Sequence, residues 1–157
     1  MMSGMRPSER VPFTTIDKRP RLSMPNGERI IVWPILALEV WNIDRAMARM
    51  VISPPQGVPQ TPDHPNWSWH EYGMRVGFWR IFKALKDRGI SSTLALNATV
   101  IDHYPETVEA AMEEKWEPLG HGYIQRPMHK VDNEFVDIKS AIEKINNFTK
   151  QEIIGWE

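Results

Sequence analysis

Hydrophobic and polar positions follow two different periods along the chain, and the changes between them mark the predicted elements. A continuous apolar run, typical of a buried parallel strand, predicts a strand over residues 29–38, and shorter apolar segments predict strands over 90–98, 116–120 and 153–156. Apolar positions at helical spacing predict helices over about 71–88, from Pro105 onward and from near Asp132 onward. This β-α-β-α-β-α-β order favours right-handed crossovers and a parallel α/β sheet.

The same pattern predicts which helix faces are buried. The expected apolar stripe of the first helix is Tyr72, Val76, Trp79, Phe82 and Leu85, and that of the last helix is Phe135, Ile138, Ile142 and Ile145. Asp132 is a suitable N-cap for the last helix. Pro34 interrupts the first predicted strand, which indicates an edge position or a bulge, because proline donates no hydrogen bond to a sheet.

Prolines divide the chain further. Residues 1–28 contain four prolines and end at a Pro25-Asn26-Gly27 turn, which predicts an irregular N-terminal arm ahead of a single domain over residues 29–157. Five more prolines lie between Pro54 and Pro65 and are incompatible with a helix or a central strand there. A connection of roughly 30 residues is far longer than the usual ~4–6, which indicates a functional loop such as a lid.

Composition and charge narrow the class of protein. The 157 residues, 41% hydrophobic and 25% charged, fit one soluble globular domain. A net charge of −1 gives no electrostatic basis for binding nucleic acid or an anionic membrane. The absence of cysteine excludes disulfides and thiolate chemistry. The first ten residues are polar and lack the apolar core of a signal peptide, so we expect a cytoplasmic protein.

The predicted sheet also bears on assembly. Four parallel strands are too few to close into a barrel of ~8 strands. An unpaired strand edge and an uncovered sheet face promote association. We therefore expect the chain to form a homo-oligomer.

Two chemically useful side chains stand at predicted strand ends. Glu39 follows the first apolar run, and His121 follows the third between two glycines. Because the carboxyl ends of parallel strands share one edge of a sheet, these residues are expected to meet, and a carboxylate with an imidazole suffices for general acid–base hydrolysis. Each residue also has a plainer interpretation. Glu39 could be a solvated charge at a strand end, and His121 could be a loop histidine that hydrogen-bonds a backbone carbonyl. Of the remaining histidines, His64, His70 and His103 are interpreted as structural or surface residues.

Several segments together resemble one known family. They are residues 9–13 (ERVPF), the strand end Leu38-Glu39-Val40, residues 70–80 (HEYGMRVGFWR), residues 93–97 (TLALN) and residues 120–129 (GHGYIQRPMH). The chain resembles the polysaccharide deacetylase (NodB-homology) superfamily of carbohydrate esterases, and within it the allantoinase-like branch. The resemblance implies part of a distorted (β/α)7 barrel, with the chain covering about the N-terminal half of the domain.

The resemblance also implies an activity, namely hydrolysis of a non-peptide C–N bond in a sugar amide, a ureide or another small amide, with a place in carbohydrate metabolism. Typical members carry two adjacent aspartates after the first strand, a base and a metal ligand, and a His-x-x-x-His pair. In this chain the base position is Glu39, the ligand aspartate is replaced by Val40, and the histidine pair becomes His121 and Gln125. A zinc site needs three protein ligands, so this incomplete set predicts no metal cofactor, with His129 as the only replacement ligand to consider.

The resemblance implies roles for individual residues. Glu39 would deprotonate a water molecule, with its pKa raised by Trp33 and Trp41, and His121 would orient or protonate the leaving nitrogen. The expected substrate-binding residues are Trp41, Arg75, Tyr123, Gln125, Arg126 and His129. The alternative is a truncated, catalytically incomplete barrel fragment that acts only through association.

Overall fold

A computed structural model describes residues 9, 11–47 and 50–157 of the chain. The chain divides into two units, Met1–Val32 and Trp33–Glu157. In the first unit, the described residues are mostly irregular and include the 3₁₀ turns Ile16–Lys18 and Pro25–Gly27. The predicted arm over residues 1–28 falls partly on residues 1–8 and 10, which lie outside the described residues.

The second unit is built on a parallel sheet, as the sequence predicts. Its strands are β1 (Ile35–Leu38), β2 (Thr93–Leu96) and β3 (Glu117–Gly120), in the order β1-β2-β3. Both pairings are parallel, and the sheet does not close. This open parallel sheet with helical connections confirms the predicted α/β fold class.

The fourth predicted strand is present only as one parallel bridge between Gly120 and Trp156. The Glu157 N–H donates to the Gly120 carbonyl at 2.9 Å, and the Gly120 N–H donates to the Gly155 carbonyl at 3.1 Å. A side chain at Gly120 would collide with the Trp156 ring. The glycine therefore permits the close approach of this last segment to β3.

The first strand is shorter than predicted. Residues 30–32 are exposed and not part of the sheet, and β1 begins only after Pro34. The Pro34 carbonyl still accepts a hydrogen bond from the Thr93 N–H at 3.0 Å, but proline has no N–H with which to continue the ladder. The predicted strand over residues 29–38 was therefore wrong in its first half.

The connection from β1 to β2 contains a longer helical segment than predicted. It consists of α1 (His64–Tyr72), a π-helical turn (Gly73–Gly77) and α2 (Phe78–Lys86). The Asp63 side chain caps α1 by accepting from the Asn66 N–H at 3.2 Å, and a proline occupies the first turn. Proline is compatible with a helix at that position, because its missing N–H would have no partner in the helix. The end of the proline-rich segment is therefore the start of a helix.

The π-helical turn changes which side chains of this segment are buried. Met74 and Phe78 are buried, whereas Tyr72, Val76 and Trp79 of the predicted stripe are 49%, 37% and 39% exposed. A π turn places an additional residue in one turn, so the apolar stripe before it no longer continues the stripe after it. Beyond the turn the prediction holds for Phe82 and Leu85, which pack against the core, but not for Trp79.

The other helices are α3 (Val100–His103), α4 (Pro105–Glu113) and α5 (Glu134–Thr149). Helix α4 begins at Pro105 as predicted. The N-cap of α5 is Asn133 and not Asp132, because the Asn133 side chain accepts from the Val136 N–H at 3.2 Å. Phe135, predicted to be buried, is 74% exposed, while Ala141 and Ile145 pack into the core with Trp116. In the described part of the chain, no helix combines the length and the apolarity that crossing a membrane requires.

Candidate functional site

The register of the sheet aligns three strand ends. Leu38, Leu96 and Gly120 are paired across the three strands. The residues that follow them therefore form a row along the carboxyl edge of the sheet, and the bridge at Trp156 adds one more position. We call this set, Glu39, Asn97, His121 and Glu157, the strand-end row.

The structure brings Glu39 and His121 together, as their strand-end positions predict. His121 Nε2 lies 3.1 Å from Glu39 Oε1, and Trp41 Nε1 donates to Glu39 Oε2 at 2.8 Å. The side chains of Glu39 and His121 are 27% and 15% exposed. On its other side, His121 Nδ1 lies 3.9 Å from Glu157 Oε2. The imidazole therefore lies between two carboxylates.

These contacts determine the protonation of the pair. The hydrogen bond with His121 is the main reason that the pKa of Glu39 lies below its ordinary value of 4.5, and it outweighs the opposing effect of burial. The hydrogen bond with Glu39 in turn raises the pKa of His121 above 6.5. The expectation that Trp33 and Trp41 raise the pKa of Glu39 was wrong. Trp41 donates a hydrogen bond that stabilises the carboxylate, and Trp33 is 61% exposed and donates to Thr93 Oγ1 at 2.7 Å.

Asn97 holds the row together and is a residue that the sequence reasoning missed. It is fully buried, and its Oδ1 accepts from the Val40 N–H at 3.1 Å. Its Nδ2 donates to the His121 carbonyl and to Gln125 Oε1, the latter at 3.0 Å. Its position directly after the second strand, equivalent to those of Glu39 and His121, was the signal available in the sequence.

A cavity of about 630 Å³ opens beside Glu39. It lies between β1 and the helical segment of residues 64–86. Its wall is mainly apolar and aromatic, and its described lining residues include Leu36, Glu39, Trp41, Trp69, His70, Tyr72, Met74, Phe78 and Gln125. A mostly apolar cavity with a few polar groups is the usual form of a small-molecule site.

His70 lies in this cavity wall, which the interpretation as a scattered structural histidine did not anticipate. Its ring centroid is 5.2 Å from that of Trp41 and 5.2 Å from that of Trp69. Burial lowers the pKa of His70 below 6.5, against the attraction of the nearby Glu39 carboxylate. Its Nε2 atom is buried without a hydrogen-bond partner among the described residues.

Two of the six predicted substrate-binding residues, Trp41 and Gln125, line the cavity. The other four lie elsewhere. Arg75 is 68% exposed and forms an ion pair with Glu71 at 2.7 Å, and Arg126 forms an ion pair with Asp137. Tyr123 packs under Lys144, whose Nζ lies 5.5 Å from the ring centroid, and His129 is exposed in the 3₁₀ turn Met128–Lys130. Their side chains already have other partners or face solvent, so the structure does not bring them to Glu39.

The side chains at the positions of the family's metal ligands do not fit a metal ion. Val40 has an apolar side chain, and Gln125 Oε1 accepts the hydrogen bond from Asn97. His121 Nε2 is occupied by Glu39. Within the described residues, no group of three His, Cys, Asp or Glu side chains is arranged to hold a metal. Three protein donors are needed for a zinc site, and of the family's ligand positions only His121 supplies a strong one.

The opposite pKa shifts predict how the stability of the protein depends on pH. Glu39, with a lowered pKa, stabilises the fold above its ordinary value of 4.5 and loses this effect as the pH falls through the lowered pKa. His121, with a raised pKa, stabilises the fold below its ordinary value of 6.5 and loses this effect as the pH rises through the raised pKa. The pair therefore contributes most between pH 4.5 and 6.5.

We expect Glu39→Gln to lower the free energy of unfolding by about 1 kcal/mol in that range, with a smaller loss at alkaline pH. Urea denaturation of both proteins from pH 4 to 9 measures the difference. A difference that grows between pH 6 and 9 would contradict the assigned protonation of the pair.

Solved structures that share this fold include an allantoinase and a probable polysaccharide deacetylase. The allantoinase Puue aligns with 60% of this chain and 32% of its own, with a TM-score of 0.57 and 28% identity. A probable polysaccharide deacetylase from Pseudomonas aeruginosa PAO1 aligns with 68% of this chain and 35% of its own, with a TM-score of 0.58 and 29% identity. The chain thus spans about a third of the length of these two proteins. No family model and no curated protein matches the sequence.

The open parallel sheet, with polar residues along its carboxyl edge, has the architecture of part of a (β/α) barrel. Both structural neighbours are members of the polysaccharide deacetylase (NodB-homology) superfamily, which confirms the resemblance inferred from the sequence.

Proposed function

We propose that this chain carries the acid–base site of a hydrolase that cleaves a non-peptide C–N bond in a sugar amide or a ureide. One observation carries the proposal: the Glu39 carboxylate lies 3.1 Å from His121 Nε2 and also lines the cavity beside it. The two structural neighbours, an allantoinase and a probable polysaccharide deacetylase, support the reaction class and the kind of substrate.

The protonation states of the pair suit hydrolysis at neutral pH. A lowered pKa keeps Glu39 ionised, so it can accept a proton from an attacking water. A raised pKa favours the imidazolium form of His121, which can donate a proton to the leaving nitrogen as the C–N bond breaks. Because Gln125 Oε1 accepts from Asn97, we assign the Gln125 amide N–H to the oxygen of the substrate carbonyl, where negative charge develops.

The proposal is tested by assaying the purified chain. Acetate release from N-acetylglucosamine and its short oligomers, and ring opening of allantoin, are followed at pH 7. We expect hydrolysis of at least one of these substrates above the rate in buffer. If none is hydrolysed, the alternative of a catalytically incomplete fragment that acts through association is favoured.

Two further expectations belong to the proposal. We propose that the chain forms a homo-oligomer, since β1 is the edge strand of the described sheet, and sedimentation velocity measures this state. We also propose a cytoplasmic location, which fractionation of the native cells tests.

At the family's metal positions, His121 and Gln125 already hydrogen-bond Glu39 and Asn97, so we expect a chelator to have little effect on activity. Dialysis against EDTA should leave the rate of hydrolysis within about twofold of the untreated rate, because the proton transfers assigned here use Glu39 and His121 alone. Added zinc should not raise the rate. A loss of activity in EDTA that zinc restores would contradict this mechanism.

A further inference from the structure

The cavity beside Glu39 has features that the proton transfers do not use. Trp41 and Trp69 flank the ring of His70, each at a centroid distance of 5.2 Å. Trp69 and Tyr72, both 49% exposed, stand at the cavity with part of their surfaces open. Aromatic faces of this kind bind the apolar face of a ring in a ligand. The wall therefore has a stacking surface adjacent to the Glu39 carboxylate.

His70 adds a polar atom to this wall. Its Nε2 is buried and has no hydrogen-bond partner among the described residues. Leaving a buried ring nitrogen unpaired is unfavourable, so such an atom calls for a partner. Because His70 is one of the residues that line the cavity, a ligand bound there can supply that partner.

We propose that His70 is a ligand-binding residue, and that this cavity holds the non-reacting part of an uncharged ligand. The apolar ring face of the ligand packs on Trp41 and Trp69, while His70 Nε2 hydrogen-bonds one of its polar groups. This inference rests on the proposed function in one respect, because it takes the ligand to be the substrate of the Glu39–His121 pair.

Charge and size support an uncharged ligand. The described lining contains the Glu39 carboxylate and no lysine or arginine, so an anionic ligand would be buried there without a positively charged partner. Burial lowers the pKa of His70, so at neutral pH its ring is neutral and can either donate or accept a hydrogen bond. A volume of about 630 Å³ lies in the usual range of small-molecule sites and accommodates a single ring with its substituents.

Binding is tested separately from turnover, with two matched pairs of ligands. Tryptophan fluorescence of the full chain is titrated with N-acetylglucosamine and with its 6-carboxylate, N-acetylglucosaminuronic acid. Allantoin and hydantoin-5-acetate, which keeps the hydantoin ring and carries an acetate group in place of the ureido group, form the second pair. We expect one neutral compound to bind, and its anionic counterpart to bind at least tenfold more weakly. The pair that binds distinguishes a sugar amide from a ureide.

Variants then test His70 itself. His70→Phe keeps a flat ring but removes Nε2, and should weaken binding of the neutral ligand about three- to tenfold. His70→Gln retains a hydrogen-bonding group and should bind with an intermediate affinity. The control is His103→Phe, which changes an exposed histidine outside the described lining and should bind as the unmodified chain does.

Each result decides one of the two proposals. Any of three results would overturn the proposed role of this cavity. They are failure of both neutral compounds to bind, equal binding of the neutral and anionic compounds, and binding by His70→Phe that is unchanged from the unmodified chain. Binding that responds to His70→Phe without any hydrolysis would support the cavity site and count against the hydrolase. Hydrolysis by His70→Phe with an unchanged KM would support the hydrolase and count against the cavity site.

Discussion

Replacing Glu39 by glutamine should lower kcat/KM for hydrolysis of the C–N bond by about 10²–10⁴-fold. Glutamine has nearly the shape of glutamate but cannot accept a proton from water at neutral pH. It also deprives His121 Nε2 of the carboxylate 3.1 Å away, so the imidazolium form of His121 becomes less favourable. One substitution therefore removes the base and weakens the acid. Steady-state kinetics with the best substrate from the assay measures the loss.

Glu117→Gln is the matched control. Glu117 begins β3, at the opposite end of the strand from His121, and is exposed. Its replacement should change kcat/KM by less than about twofold, because surface substitutions away from a site have small effects. A Glu39→Gln protein that keeps at least a third of the original kcat/KM would show that another group is the base.

Asn97→Ala should have the largest effect on stability, a loss of about 3 kcal/mol in the free energy of unfolding. The substitution leaves three groups without their partner: the Val40 N–H, the His121 carbonyl and Gln125 Oε1. Each of these groups would have to be satisfied by water or remain unpaired in a buried environment. Urea denaturation followed by circular dichroism measures the change.

Asn147→Ala provides the comparison, because Asn147 is an exposed residue of α5. Its replacement should alter the free energy of unfolding by no more than about 0.5 kcal/mol. If Asn97→Ala cost less than about 1 kcal/mol, the strand ends would not depend on Asn97 as the contacts indicate.

The parallel sheet could be predicted from the sequence, but the bounds of its elements could not. Apolar segments locate the three strands, and the central strand β2 is buried at all four positions, as expected for a parallel strand covered on both faces. Pro34 shortens β1 because the ladder needs an N–H that proline lacks. The π-helical turn at Gly73–Gly77 was not predictable from a pattern that assumes 3.6 residues per turn throughout.

Part of the candidate site could also be predicted from the sequence. Glu39 and His121 meet because strand ends share an edge, a rule that needs only the order of the elements. The location of His70 depends on the path of the long connection after β1, which no local pattern encodes. The direction of the Glu39 pKa shift also required coordinates, since burial and hydrogen bonding act in opposite directions and only their geometry decides between them.

The place of β1 in the sheet has a further consequence. Glu39 is held by a strand of four residues that pairs, within the described chain, with β2 on one side. Short edge strands open locally at a lower free energy than the whole molecule requires. Mild heating should therefore separate the carboxylate from the imidazole while the helices and the interior remain folded, and loss of catalysis would precede loss of secondary structure.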